Sequence, residues 1–305
     1  MMDVQQVEKK LIRAREDLAS VSRDVMGRFP VEDYLREVKS RRQFRGYYPY
    51  FSRKRKRIFK EIASDYGLST LALYHKLALA SFIADSLKRL TPENLPDEIA
   101  HLYRQWFERV LDDFSTQPDD YYRHDRTSFQ IDVGVCSLRV IPVGGAWTVH
   151  ICRVELGPFT SGGAGQFFDY LRFILFKTRG FSPFCVIQTA PRYLCHFNKE
   201  EMDLSYRRIA QLMERDPSIK GLYRRSWLLD PKLEEISPDL AYLRQVPEQN
   251  GARLFAGGSR QVDMKLSLAM SSARRRLYAE GKYSPAGYVY IWPRKDLLDW
   301  AKKTE

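Results

Sequence analysis

The hydrophobic period of this chain changes near residues 115–128, and that change constrains the fold more than any other feature. Before it, residues 7–26, 58–90 and 97–114 carry apolar side chains at helical spacing. The bridge is polar and contains a proline, as linkers commonly do. We therefore predict a helical region over residues 1–115, followed by a domain of different architecture over residues 125–305.

After the bridge the period is close to two. Phe129, Ile131, Val133 and Val135 alternate with other residues, and residues 147–156 form a second such run, so a β-hairpin is predicted over 129–156. Further along the chain the pattern indicates a glycine-rich loop, helices and strands in turn; their predicted ranges are 157–166 (loop), 167–180 (helix), 184–190 (strand), 199–214 (helix), 286–292 (strand) and 294–303 (helix). The predicted class is α+β, with an N-terminal helical domain and a mixed α/β domain whose sheet is covered by helices.

One short segment carries most of the net charge. The chain has 50 Lys and Arg against 38 Asp and Glu, a net charge of +12, and residues 36–60 contribute +10 of it with a single acid, Glu37. Aromatic residues are interleaved with these cations. Cations neutralise phosphates and aromatic faces stack on unpaired bases, so we predict a nucleic-acid partner, with RNA favoured over DNA. Another polyanion or a structural role remains an alternative.

The predicted nucleic-acid contacts extend from this basic segment into the next predicted helix. They are Arg41, Arg42, Arg45, Tyr47, Tyr48, Arg53, Lys54, Arg55, Lys56, Arg57, Lys60 and Lys76. Residues 58–77 also fit a helix-turn-helix template, with Gly67 in the turn and Ser69 as the cap of the second helix. That second helix is expected to expose Ser69, Thr70, Ala72, His75 and Lys76. An ordinary αα-hairpin with a glycine turn fits the same pattern.

The glycine-rich loop is the second feature with chemical meaning. It follows a predicted strand and opens a helix, and its glycines let the backbone approach an anion at the helix N-terminus. The predicted donor-binding residues are Ser161, Gly162, Gly163, Gly165 and Gln166. The loop lacks the Gly-Lys-Ser/Thr of a phosphate-binding Walker loop and the GxGxxG of a dinucleotide site.

This strand, loop, helix and strand resemble the core of the GNAT acyltransferase superfamily over residues 129–215. Gly163 and Gly165 match the two glycines of that family's donor loop, whereas Thr160 stands where Arg or Gln is expected. The resemblance implies a three-layer sheet with helices and an acyl-coenzyme A donor. It also implies a general base on the strand before the loop, either Glu155, which we favour, or His150. Tyr193 and Tyr206 are candidates for protonating the leaving group.

Joined together, these features predict a GNAT-like acyl or aminoacyl transferase that binds RNA, with acyl-coenzyme A or aminoacyl-tRNA as donor and a small molecule as a possible acceptor. The alternative is a non-enzymatic helix-turn-helix protein that binds DNA, as a regulator or replication factor. The four cysteines are scattered, so we expect reduced core thiols, no metal site and a cytoplasmic location. No apolar run is long enough to span a bilayer, and no membrane partner is expected.

Overall fold

The computed structural model describes residues 4–40, 51–91, 93, 95–154, 157–258, 260–269 and 271–304, without the side chains of 4–6, 157–159 and 192. The chain forms two compact units. Unit 1 contains residues 1–150 and 189–194, and unit 2 contains residues 151–188 and 195–305. The predicted division near residues 115–125 stays a prediction, although the compact units divide the chain at residue 150.

Unit 1 is helical apart from a short hairpin. Its helices are α1 (Val4–Val21), α2 (Arg23–Arg28), α3 (Val31–Ser40), α4 (Arg53–Tyr66), α5 (Leu68–Leu87), α6 (Asp97–Thr116) and α7 (Thr127–Cys136), and its strands are β1 (Ile141–Pro142) and β2 (Trp147–Cys152), of which the last two residues belong to unit 2. The two strands pair antiparallel, with Ile141 opposite Val149. The helical patterns of residues 7–26, 58–90 and 97–114 are therefore confirmed.

Unit 2 is a helix-covered sheet. Its elements are α8 (Gly163–Phe173), a π-helical turn (Ile174–Thr178), β3 (Phe184–Thr189), α9 (Lys199–Arg215), β4 (Gly221–Ser226), α10 (Leu233–Ile236), α11 (Tyr242–Gln249), β5 (Arg253–Gly258), α12 (Gln261–Ala269), α13 (Ser272–Ala279), β6 (Gly287–Pro293) and α14 (Arg294–Lys303). The strand order is β3-β4-β6-β5. The β3–β4 pair is parallel, whereas β6 runs antiparallel to both β4 and β5.

The two faces of this sheet hold different cores. Tyr170 and Ile174 from α8 and its π-helical turn pack on Tyr223, Phe255 and Val289. On the other face Tyr206 of α9 packs against Trp292 and Trp300, with ring centroids 5.2 and 5.7 Å away. The alternation of β6 separates these sets, because neighbouring strand residues point to opposite faces. The predicted α+β class is confirmed, as are the strands at 184–190 and 286–292 and the helices at 199–214 and 294–303.

The predicted strand at the start of the hairpin is wrong, because residues 127–136 form helix α7. Every residue from Ile131 to Cys136 is buried. This part of α7 therefore lacks the exposed polar face by which a helical period is recognised in a sequence. Asp132 is buried too, and its carboxylate accepts hydrogen bonds from Trp106 Nε1, at 2.9 Å, and from the Tyr121 hydroxyl. Because both carboxylate oxygens of Asp132 accept hydrogen bonds, this residue can lie in the buried part of α7, where the apolar residues alternate by chance.

Candidate functional site

The glycine-rich loop of unit 2 is a 3-10 helix, Gly157–Gly162, that leads directly into α8. Residues 161–165 are all exposed, and no side chain caps the N-terminus of α8. Gly163 has φ +79°, and a Cβ added there would meet no atom within 4 Å. The N-terminus of α8 therefore lies among exposed residues and carries the positive end of the helix dipole, an environment that favours an anion.

Gln166 fastens this helix end to the edge strand β5. Its Nε2 donates to Ala256 O at 2.9 Å and its Oε1 accepts from Ala256 N at 2.8 Å. The amide passes so close to Gly162 that a Cβ there would lie 2.3 Å from Gln166 Cδ. Gly162 is therefore required by packing, and Gln166 orients the loop from within the protein; its predicted contact with a donor stays a prediction.

Beside the loop, four residues meet at what we call the glycine corner: Ser161, Gly258, Gly287 and Asp263. A Cβ on Gly258 would lie 2.6 Å from Ser161 Oγ. A Cβ on Gly287 would lie 2.7 Å from Gly258 O and 3.0 Å from Asp263 Oδ2. Gly258 thus lets the loop approach β5 closely, and Gly287 lets β5 and the carboxylate of Asp263 approach β6.

Asp263 is a candidate base that no sequence motif indicates. Its Oδ2 is buried, and burial raises the pKa of the carboxyl above its usual value, although the positive charges of Arg225 and Arg260 act against the rise. Arg225 lies on β4 and donates from Nη2 to Gly257 O at 2.8 Å. Asp263 thus combines a half-buried carboxyl of raised pKa with close packing against Gly287 of β6, and such a carboxyl is suited to accepting a proton.

The predicted catalytic residues are divided between the two units. Glu155 lies outside the described residues, and His150 and Tyr193 belong to unit 1. Burial lowers the pKa of His150 to about 4, so its imidazole is neutral at pH 7. Arg109 lies 4.0 Å above the ring of Tyr193, and Trp106 packs on the same ring at 4.9 Å.

Tyr206 belongs to unit 2 but is fully buried on the α9 face of the sheet. Its hydroxyl lies 3.3 Å from that of Tyr290, and burial raises its pKa well above the usual value. The catalytic roles of Tyr206, Tyr193, His150 and Glu155 stay predictions. Among the residues that the structure describes, no group of three or more His, Cys, Asp and Glu side chains is placed to hold a metal ion.

The predicted nucleic-acid residues are divided by the structure. Arg41, Arg42, Arg45, Tyr47 and Tyr48 lie outside the described residues. The remaining cations of the segment begin α4, where Ser52 caps the helix by accepting from Arg55 N at 2.9 Å. The members that are exposed to solvent are Arg53, Lys54, Lys56, Arg57 and Lys60.

Arg55 was predicted to contact nucleic acid, and its burial is a correction to that prediction. Its side chain is 6 % exposed, its Nε donates to Glu37 Oε2 at 3.0 Å, and its guanidinium lies 5.4 Å from the ring centroid of Tyr34. The helical period of α4 places Arg55 on the same side as Phe59 and Ile62, which are both fully buried. Arg55 therefore belongs to the core of unit 1, because it lies about one helical turn from Phe59.

The prediction that α5 exposes these side chains as a recognition helix is also wrong for three of them. Thr70, Ala72 and His75 were expected on the surface, but all three are buried in α5. His75 packs its ring 4.5 Å from that of Phe59, and burial lowers its pKa well below the usual value. α4, Gly67 and α5 do form two helices joined by a glycine at φ +91°, yet Ser69 alone of the five residues expected on the surface of α5 is exposed.

Lys76 is likewise used inside unit 1. Its ammonium donates to Phe114 O at 2.9 Å and lies 4.8 Å from the ring centroid of Tyr122. The four cysteines are free thiols, as expected, but Cys195 is exposed and Cys152 is partly exposed, so the prediction that all four lie in a core is wrong. In the described part of the chain, no helix is long and apolar enough to cross a membrane.

No protein-family model matches the chain, and no curated protein matches it. Solved structures do. A mutant acyltransferase in complex with octanoyl-CoA aligns over 95 % of this chain and 87 % of its own, with a TM-score of 0.50 and 13 % identity. An acyltransferase in complex with CoA and 10C-teicoplanin aligns over 78 % and 76 %, with a TM-score of 0.46 and 11 % identity. The first likeness shows that the fold is shared with an acyltransferase, which confirms the predicted resemblance as a matter of fold.

Proposed function

We propose that this chain is an acyltransferase that takes an acyl group from a coenzyme A thioester and passes it to a small-molecule acceptor. The observation that carries the proposal is the N-terminus of α8, which no side chain caps and which follows an exposed glycine-rich loop, together with the half-buried carboxyl of Asp263 against Gly287 of β6. The shared fold supports it, since the structural neighbour was solved with octanoyl-CoA. A fold hosts many activities, so the site carries the argument and the fold agrees with it.

The residues of the loop fit the diphosphate of coenzyme A. Residues 163–165 are exposed at the helix N-terminus, and Gly163 and Gly165 have no atom within 4 Å of an added Cβ, so a ligand can approach the backbone closely. Asp169, the nearest acid along α8, is paired with Arg253 at 2.9 Å, so its charge is offset. The potential at the helix end therefore favours phosphate.

Acyl transfer also needs a base and a stabilised oxyanion. In our proposal the carboxylate of Asp263 takes the proton from the acceptor's nitrogen or oxygen as that atom bonds to the acyl carbon. The carbon–sulfur bond then breaks, and the thiolate of coenzyme A takes up a proton. The sequence-based candidates also stay in our proposal. Tyr193 and Tyr206 are candidates for supplying that proton, and Glu155 and His150 are alternative candidates for the base.

The proposal is tested by binding and by turnover. Coenzyme A and an octanoyl or decanoyl thioester are titrated into the protein while its melting temperature is followed, and free thiol release is measured with a panel of amine and hydroxyl acceptors. We expect both ligands to raise the melting temperature and at least one acceptor to accelerate thiol release. Absence of stabilisation by millimolar coenzyme A would contradict the proposal.

We also propose that the exposed cations of α4 bind RNA, with aminoacyl-tRNA as a possible donor. The specific observation is their position: Arg53, Lys54 and Lys56 occupy the first turn of a helix, where the dipole is already positive. Like charges concentrated there destabilise the free helix, and phosphates would relieve the repulsion. Among the described residues of unit 1, no acid forms an ion pair with any of these three side chains.

This second proposal has its own test. Binding of tRNA is measured against salt concentration for the wild-type chain and for a variant with Arg53, Lys54, Lys56, Arg57 and Lys60 changed to Gln, with Arg23→Gln, an exposed arginine of α2, as control. Five phosphate contacts give a slope of about −3 to −4 in log affinity against log salt, and the variant should lose it. A salt-independent affinity would contradict the proposal, and transfer from charged tRNA rather than from coenzyme A would identify the donor.

A further inference from the structure

We propose that the outer face of α8 and its π-helical turn binds the surface of an anionic lipid bilayer. The outer face consists of Phe168, Arg172, Leu175, Phe176 and Arg179. The inference does not rest on the proposed acyltransferase activity. It concerns a surface that neither the sequence patterns nor the candidate site accounts for.

Three large apolar side chains of this face are exposed to water. Phe168 is 67 % exposed, Leu175 is 54 % exposed and Phe176 is 77 % exposed. Their spacing of seven and eight residues returns to the same side of a helix, so they form a stripe rather than a scatter. Single exposed apolar residues are ordinary, but a stripe with two phenylalanines marks a surface that is covered when the protein works.

The helix cannot rotate to hide this stripe. Its inner side is fixed by Tyr170 and Ile174, which are fully buried against the sheet, and by the paired hydrogen bonds of Gln166 to β5. Asp169 adds an ion pair with Arg253 at 2.9 Å. The apolar stripe is therefore held outward by the same contacts that position the glycine-rich loop.

The charges on this face select the partner. Arg172 and Arg179 are exposed between and beyond the apolar side chains, and the one acid of α8, Asp169, is offset by its ion pair with Arg253. Phenylalanine and leucine that enter the acyl boundary, with arginines at headgroup level, make an amphipathic surface complementary to anionic phospholipids. Arginine can also keep its guanidinium at the phosphates while its stem lies on apolar surface.

A second copy of the chain fits this face less well. In a symmetric pair the same patch meets itself, so Arg172 and Arg179 of one copy would approach their own counterparts. Like charges brought together in a desolvated contact are costly. A lipid surface supplies the negative charge that a second copy cannot. Because no described helix spans a bilayer, the predicted association is peripheral, with the helix lying in the interface.

The experiment measures cosedimentation of the full chain with vesicles of phosphatidylcholine alone or mixed with phosphatidylglycerol. We expect binding to the mixed vesicles, weaker binding to phosphatidylcholine, and a decrease with salt because the attraction of arginine to lipid is screened. Changing Phe168 and Phe176 together to Ser should lower partitioning by about tenfold or more, and each of Arg172→Gln and Arg179→Gln by about fivefold.

The chain offers a matched control for the apolar contribution. Leu175 and Leu266 are 54 % and 53 % exposed, but Leu266 lies on α12. Leu175→Ser should weaken binding, whereas Leu266→Ser should not. Equal effects of the two, or no binding to phosphatidylglycerol vesicles at low salt, would overturn the proposal. So would a dimer in solution that Phe176→Ser dissociates, since that result identifies a protein as the occupant of the face.

Discussion

The side-chain amide of Gln166 pairs with both backbone groups of Ala256, donating to its oxygen at 2.9 Å and accepting from its nitrogen at 2.8 Å. The Gln166 side chain thereby makes two hydrogen bonds to the edge strand β5 of the kind that a neighbouring strand would make. This pair links the N-terminus of α8 to the sheet, so the position of the glycine-rich loop depends on it. The loop is exposed, yet its geometry is set by a contact that is partly buried.

Gln166→Ala removes both hydrogen bonds and leaves two groups of Ala256 unsatisfied. We expect a loss of about 2 kcal/mol in the free energy of unfolding, at about 1 kcal/mol for each bond, together with weaker binding of coenzyme A. Urea denaturation and calorimetric titration measure the two effects. Gln166→Glu keeps the acceptor but cannot donate, so its cost should be at least as large. Unchanged affinity in a folded Gln166→Ala chain would show that the loop does not need this anchor.

Gly163→Asp tests the anion site at the loop. Gly281 offers a matched control, because it also has positive φ, +69° against +79°, and also has no atom within 4 Å of an added Cβ. Both substitutions should cost about 1–2 kcal/mol of stability through backbone strain. Only Gly163→Asp places a carboxylate where the donor's phosphates are expected, so coenzyme A affinity should fall in that variant alone. A similar loss of affinity in Gly281→Asp would point to a general effect of strain.

Asp263→Asn tests the proposed base through the pH dependence of transfer. Burial raises the pKa of Asp263 above 3.8, so the transfer rate should rise with pH as this carboxyl loses its proton. The asparagine variant should lose that rising limb. Stability changes in the opposite sense: a carboxyl with a raised folded pKa stabilises the folded state below the unfolded value, and that contribution is lost as pH rises through the folded pKa.

The control for this pH experiment is Asp296, whose pKa burial also raises but which lies at the start of α14, beside Gly251. Asp296→Asn should alter stability with pH and leave the rising limb of the rate profile in place. A pH–rate profile that is identical in Asp263→Asn and wild type would remove Asp263 from the mechanism.

The Arg55–Glu37 pair should govern the acid stability of unit 1. Burial alone would raise the pKa of Glu37, but hydrogen bonds from Ser52 and Arg55 outweigh it and lower the pKa below 4.5. The pair therefore stabilises the fold above pH 4.5, and this contribution is lost as pH falls through the folded pKa. Arg55→Ala should cost about 3 kcal/mol by leaving Glu37 unpaired, whereas Arg57→Ala, which removes an exposed neighbour, should cost little. Urea melts at neutral and acidic pH measure the difference, and equal losses in the two variants would contradict it.

Two errors of sequence interpretation have a common physical cause. Residues 129–135 alternate as a strand does, but they lie in α7, which is buried on every side. Thr70, Ala72 and His75 of α5, which a helix-turn-helix would expose, are buried as well. The hydrophobic period of a sequence arises because one face of an element is exposed to water and the other is buried. An element with no exposed face therefore lacks the period that would identify it.

The sequence by itself determined α1, α2, α5, α6 and the greater part of α4, the strands β2, β3 and β6, and the glycine-rich loop before α8, because local spacing and backbone freedom specify them. It also located the basic segment, since charge is a property of composition. Only the tertiary structure decided which of those cations face water, as the contrast between Arg55 and Arg57 shows. Ser161 likewise meets Gly258, and Gly287 meets both Gly258 and Asp263, through contacts between residues that are distant in sequence, and no local pattern encodes such a meeting.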